Sequence, residues 1–280
     1  MITKRAALRF AVLAALTSSL PWVQAALAAD AIPAFKTVAA GSTVTVDHSA
    51  WDKLLKAYVV PGSDGLNRVA YTSLKKEHSV LKGYLAALQK VDPATLDKPE
   101  QFAFWVNLYN AKTIDVVLDK YPVKSIKDIS LGGGLKTLVT GGPWQAKLMK
   151  VNGIDMTLDD VENAVLRPIY GDGRVHYAVN CASIGCPNLA AEAWTGAKLE
   201  AMLEAGAKAY INSPRGLLVQ GDSIKASSIY NWFKADFGGT DASLMAHLDK
   251  YAEPALKAKI AKIGKIASYD YDWALADAKK

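Results

Sequence analysis

Apolar positions along this chain follow helical spacing far more often than strand alternation. Trp51 to Tyr58 predicts a short helix, and Leu74, Leu81, Leu85 and Leu88 predict an amphipathic helix over Tyr71 to Gln89. From Gln101 to Tyr121 the pattern changes. One face carries Phe102, Trp105, Tyr109, Thr113 and Val116, and the other side carries Phe104, Leu108 and Ala111. A helix apolar nearly all round belongs in the middle of a domain. Pro122 ends it. Leu158 to Leu166 turns helical behind Thr157, an N-cap candidate, with Asp160 favourable near the helix start. Ala197 to Ile211 is amphipathic, and helical patterns resume from Ser228 and from Ser243.

Strand signals are short. Asn152-Gly153 between two apolar runs predicts a hairpin over Lys147 to Thr157, and Gly221-Asp222 predicts another over Leu217 to Ala226. Val175 to Asn180 predicts a short strand. Residues 30–48 lack a helical period and read as an N-terminal arm, and Pro61 to Gly65 reads as a loop. The glycine-rich stretch Leu131 to Gly142 lacks the lysine and the strand–helix context of a phosphate cradle. Helices outnumber strands and the strands come as hairpins. The expected fold class is therefore α+β, a single mostly helical domain over residues 49–280 with short antiparallel hairpins. No internal repeat or interdomain linker interrupts it.

The first residues change the picture of where this domain works. Lys4, Arg5 and Arg9 precede an apolar run from Phe10 to Leu20, and Ala26-Leu27-Ala28 offers small residues at a cleavage site. That is the layout of a signal peptide over residues 1–29, too short to span a bilayer. It contains no cysteine that could be lipid-modified. Its removal takes three basic and no acidic residues, lowering the formal net charge from +6 to +3. The expectation is a periplasmic or secreted protein with no integral membrane segment after signal removal. A mild charge excess without a basic tract gives no support for nucleic-acid binding. The partner class is an unknown small molecule or peptide.

Candidate chemistry concentrates in His176–Pro187, HYAVNCASIGCP, which holds both cysteines and one of four histidines. Three readings stay open for Cys181 and Cys186: a small structural disulfide, a catalytic or redox thiol, and a metal clip. The spacing is not that of the usual zinc pair and a second ligand pair is missing, so no metal and no cofactor is assigned. In an exported protein two thiols that can meet usually join. On a straight strand His176 and Cys181 point to opposite faces, about 16 Å apart along the chain. His176 serves Cys181 as a base only if the chain turns before Asn180. Cys186 precedes Pro187, which can open a helix whose dipole would favour a thiolate there.

Several separate segments resemble the domain of unknown function 547 family. They are Ala103–Ala111 (AFWVNLYNA), Tyr121–Ile129 (YPVKSIKDI), Met156–Arg167 (MTLDDVENAVLR), the cysteine segment, Ser227–Gly238 (SSIYNWFKADFG) and the closing YDYDW. The resemblance runs from about Tyr58 to Trp273. It marks Asn107, Tyr109, Asn110, Glu162, Arg167, His176, Asn180, Cys181, Ser183, Cys186, Pro187, Trp232 and Asp236, with Asn163 standing where a histidine is expected. Some family members carry a glutaredoxin domain, an association that leans towards thiol chemistry.

Cys181, His176 and Asn180 are the candidate catalytic set, as nucleophile, base or orienter, and imidazole orienter or oxyanion donor, for acyl transfer or amide hydrolysis. Asn110 is a second candidate for Asn180's role. Asn107, Asn110, Glu162, Arg167, Ser183 and Cys186 are candidate lining residues, with a buried polar network that pins the core as their alternative. Two other functions compete with the enzyme: a binding module stapled by Cys181–Cys186, and a thiol–disulfide relay partner.

Overall fold

The architecture is set by one buried helix. In this computed structural model residues 29–131 and 142–278 are described. The leader reading over 1–29, except for its last residue, and most of the glycine-rich stretch lie outside them. Helix α1 (Ser49–Tyr58) leads into strands β1 (Val59–Pro61) and β2 (Asn67–Val69), an antiparallel pair around the predicted loop. The helix expected over Tyr71 to Gln89 forms in two pieces, α2 (Tyr71–Leu74) and α3 (His78–Leu88), with a 3-10 turn between them. Leu74 and Leu81 stand seven apart with only polar side chains over 75–79, so no buried residue holds the middle turn to α geometry.

Helix α4 (Lys98–Lys120) is the spine. Asp97 caps it by accepting from the Glu100 N–H, and nineteen of its residues, Glu100 to Leu118, are buried on all sides, as the apolar pattern required. The chain leaves α4 through Tyr121–Pro122. Strands β3 (Met149–Val151) and β4 (Ile154–Met156) form the first predicted hairpin, with both turn residues, Asn152 and Gly153, at positive φ.

Thr157 and Asp160 then make a reciprocal capping box on α5 (Leu158–Val161). The helix widens to a π turn over Glu162–Leu166 before α6 (Arg167–Tyr170). Pro168 explains the widening. It has no N–H to donate, and its ring cannot pass the carbonyl four residues back in a regular α turn.

Helix α7 (Leu199–Ile211) precedes β5 (Leu217–Gln220) and β6 (Ser223–Ser227), the second predicted hairpin. Helices α8 (Ile229–Trp232), α9 (Asp241–Tyr251) and α10 (Pro254–Ile263) follow. Strand β7 (Ser268–Asp270) pairs parallel to β6, a pairing the hairpin pattern did not announce. The class is α+β, mostly helical with short hairpins. Among the described residues no helix is long and apolar enough to cross a membrane.

Buried apolar side chains form two clusters. The larger is built on α1, α3 and α4 and is rich in Leu, Val, Phe and Trp. The smaller is built on α7, β5, β6, α9 and α10 and includes Tyr177, Tyr210, Tyr230 and Tyr251. His176 and the cysteine segment run between the two.

Candidate functional site

The segment expected as a strand over Val175 to Asn180 is not one. Gly173–Tyr177 form a 3-10 turn capped by Asp172, and the chain beyond is irregular. Amides replace sheet pairing as the reason for its path. Asn110 on α4 accepts from the Asn180 N–H at 2.8 Å and donates to the Ala178 carbonyl at 2.9 Å. Asn180 donates to the Pro187 carbonyl at 2.7 Å and accepts from the Ala182 N–H at 2.8 Å. Ala182 sits at φ 64°, a conformation costly for a residue with a Cβ and held here by that local bond. Asn107 pins the following segment, donating to the Trp194 carbonyl and accepting from the Trp194 N–H.

No helix opens at Pro187, so the dipole argument for a thiolate at Cys186 falls away. The backbone there is claimed by side chains instead: Asn180 donates to the Pro187 carbonyl and Asn67 to the Leu189 carbonyl.

Cys181 and Cys186 are joined in a disulfide with Cα atoms 6.2 Å apart. Cys186 is buried and Cys181 is partly exposed. The Cys181 N–H donates to Cys186 Sγ at 2.9 Å. Tyr271 Oη lies 3.0 Å from Cys181 Sγ and 3.1 Å from Cys186 Sγ, and Ser183 Oγ lies 3.1 Å from Cys181 Sγ. Burial pushes the Tyr271 phenol well above its usual pKa, so its hydroxyl stays a donor. Tyr271 reaches the sulfurs because Gly185 allows the C-terminal segment to lie against the loop. A Cβ on Gly185 would meet the Asp272 backbone at 2.9 Å. Gly185 and Ile184 donate their N–H groups to the Asp272 and Ala274 carbonyls at 2.8 Å. Arg215 braces the other side of the loop by donating to the carbonyl of Cys186 and to Asn188 Oδ1.

The second element of the site is a chain of charged side chains. Arg167 Nε and Nη2 donate to the two oxygens of Asp236 at 2.5 and 3.1 Å. His176 Nε2 lies 2.7 Å from Asp236 Oδ2, and its Nδ1 lies 3.4 Å from Glu162 Oε1. Tyr109 donates to Glu162 Oε2 at 3.3 Å. Asn163 accepts from Arg167 Nη1 at 2.7 Å, so the residue standing in place of the expected histidine holds the guanidinium.

Glu162 and Arg167 are too offset to pair directly on one helix face. The structure joins them through His176 and Asp236. Burial disfavours the imidazolium, but Asp236 and Glu162 outweigh it, and the His176 pKa is raised above 6.5. Burial likewise opposes charge on Asp236, and His176 and Arg167 overcome it, holding the carboxyl below its usual value. Phe233 stacks on the His176 ring with centres 4.1 Å apart.

Disulfide and charged chain meet at one cavity of about 260 Å³. Of the expected site residues, Cys181, Cys186, His176 and Glu162 line it. Asn107, Asn110 and Asn180 serve backbone groups behind it, Arg167 holds Asp236, and Ser183 lies beneath the disulfide against Tyr271. The residue patterns alone did not single out Trp144, Asp159, Phe233, Tyr271 or Trp273, which also line the cavity. The quoted motifs were the available signal: Met156–Arg167 contains Asp159, Ser227–Gly238 contains Phe233, and the closing YDYDW contains Tyr271 and Trp273, while Trp144 lies in none of them.

Among the described residues one group has metal-ligand geometry, His78, Asp115 and Asp119. Lys112 pairs with Asp115 at 2.8 Å and Lys82 with Asp119 at 2.9 Å, so these carboxylates already have cations.

One family model, described as Protein of unknown function, DUF547, matches residues 93–211. The match supports the resemblance drawn from the motifs. The matched stretch holds α4, Glu162, Arg167, His176 and both cysteines, while Asp236 and Tyr271 fall beyond it. No curated protein and no solved structure matches the chain.

Proposed function

We propose that the Cys181–Cys186 disulfide is a reactive group that exchanges with the thiols of a small molecule or peptide entering the cavity. The observation that carries this reading is the position of the bond: both cysteines line the cavity, and donors already face their sulfurs. The partly exposed Cys181 is the sulfur an incoming thiolate attacks. The Cys181–Cys186 bond breaks as the new bond forms, and Cys186 leaves as a thiolate stabilised by the Cys181 N–H and the Tyr271 hydroxyl. A second substrate thiolate attacks the substrate sulfur of the mixed disulfide and expels Cys181. The substrate is oxidised to a disulfide and the protein is reduced to a dithiol. A disulfide and the leader-like N-terminus agree with a periplasmic or secreted setting.

The test is a redox titration of the whole protein, with alkylation and mass mapping of Cys181 and Cys186. Exchange proteins sit between about −120 and −270 mV, whereas structural bonds lie below about −300 mV. A midpoint in the first range is the expected result. A midpoint below the second makes the bond a staple and the protein a binding module, and overturns the reading.

A second reading, acyl transfer by a free Cys181 thiolate, is favoured by the shared cavity of Cys181, His176 and Glu162. It needs the reduced protein. It also needs a base other than His176, whose two ring nitrogens both face carboxylates. An acylating probe that labels Cys181 with turnover after reduction would favour it over exchange.

A further inference from the structure

The cavity carries a preference of charge as well as a reactive bond. Its ionisable lining consists of Asp159, Glu162 and His176 besides tyrosines, and no lysine or arginine lines it among the described residues. His176 presents no free nitrogen to a ligand, because its ring atoms are directed at Glu162 and Asp236 and Phe233 covers its face. Glu162 is held by two long contacts, 3.3 Å to Tyr109 and 3.4 Å to His176, which leave its carboxylate able to take a stronger donor.

The rest of the wall is aromatic. Trp232, Tyr271 and Trp273 pack with ring centres 4.7 to 5.8 Å apart, and Trp144 joins Trp273 at 5.6 Å. Such ring faces attract cations. Two rings of the lining already do so: Lys127 Nζ lies 5.0 Å from the Trp273 ring centre, and the Arg167 guanidinium lies 4.7 Å from that of Phe233. At about 260 Å³ the cavity falls just below the roughly 300–1,000 Å³ of drug-sized sites, which favours a small molecule over a peptide.

We propose that the substrate of this cavity is a small aminothiol, bound with its ammonium group against Glu162 among the aromatic rings and its sulfur at Cys181. The sulfur half rests on the exchange reading above; the ammonium half rests on the cavity alone. Two aminothiols are oxidised to one disulfide while Cys181–Cys186 is reduced to two thiols. The two protons released by the substrate thiols end on Cys186 and Cys181.

The experiment measures opening of the disulfide in the full protein by cysteamine, 2-mercaptoethanol and 3-mercaptopropionate, which are cationic, neutral and anionic. Each rate is corrected for thiolate concentration and divided by that thiol's rate on a small neutral disulfide. The expected result is at least a tenfold preference for cysteamine over 3-mercaptopropionate, reduced to near unity in Glu162→Gln. Equal corrected rates in the unaltered protein, or a preference that survives Glu162→Gln, overturn the aminothiol assignment and leave the exchange reading standing.

If no thiol opens the bond, the exchange reading fails, and with it the aminothiol. The ammonium site is then judged by binding of choline against its neutral isostere 3,3-dimethyl-1-butanol, followed by tryptophan fluorescence. Choline binding at least tenfold tighter keeps a cation site. Equal binding removes it.

Discussion

Two sets of buried polar groups meet at the cysteine segment, and they are wired differently. Asn107, Asn110 and Asn180 bond to backbone groups, at Trp194, Ala178, Asn180, Pro187 and Ala182. Arg167, Asp236, His176 and Glu162 contact one another, side chain to side chain, and the series ends at the cavity. The amides fix where the chain goes in a stretch that has no sheet or helix to guide it. The ionic series fixes a charge distribution, setting the His176 ring between two carboxylates that favour its charged form. A buried polar residue next to a cavity is therefore not by itself a site residue. What separates the two sets is whether the partner is backbone or another ionisable side chain.

Removing the guanidinium should strike hardest. Arg167 is almost fully buried and Asp236 is largely so, and truncating one member of a buried ion pair costs about 3–5 kcal/mol. Arg167→Met is expected to lower the urea-unfolding free energy at neutral pH by that amount. A loss under about 1 kcal/mol would show the pair to be effectively solvated, with the median worth of a surface bridge, and would erase the distinction from the amide set.

The amide set should respond less, and by a different route. Asn110→Ala strands the Asn180 N–H and the Ala178 carbonyl. Each unsatisfied buried group costs about 1–3 kcal/mol, or about 2–6 kcal/mol for the two; this irregular stretch, with no sheet or helix to hold it, can relax around them, so the expected loss lies in the lower half of that range in the same assay. Because the damage is to chain path, hydrogen exchange at Asn180 and Ala182 should quicken. Unchanged protection there would show that the Cys181–Cys186 bond, and not Asn110, holds the loop.

How much of this was legible in the sequence follows the same division. The buried helix, both hairpins and the Thr157–Asp160 cap rest on local spacing and local bonds, and the patterns announce them. The 3-10 turn at His176 does not, because alternation over Val175 to Asn180 suits a strand. Asn110, some seventy positions earlier, decides otherwise. Pro168 could have flagged the π turn that sets Glu162 and Arg167 on either side of His176. Asp236 carries a mark only through family resemblance, and Tyr271 only through the closing motif. Their contacts with His176 and the sulfurs span sixty to ninety positions. Spacing rules reach along one element, and this site is assembled from several.

The smallest effects, and the ones that read charge most directly, come from two histidines with opposite shifts. His176 has a raised pKa: burial opposes its charge, and Asp236 and Glu162 prevail, with Arg167 behind Asp236. Its contribution to stability is fully present below its ordinary 6.5 and is lost as pH rises through the higher folded value. His247 is the reverse. Burial, then Lys250 and Arg174 against Asp172 and Glu204, lower it to about 4, and its Nε2 lies 2.8 Å from the Tyr177 hydroxyl. Its contribution is present above 6.5 and is lost as pH falls towards about 4. Unfolding free energies measured across that range should therefore diverge. The gap between the unaltered protein and His176→Gln should narrow on the alkaline side, and the gap to His247→Gln on the acid side. A His176 gap that widened as pH rose would mean the ring is neutral between its two carboxylates. The ionic series would then be a hydrogen-bonded network of the same kind as the amides, and its separate role at the cavity would be lost.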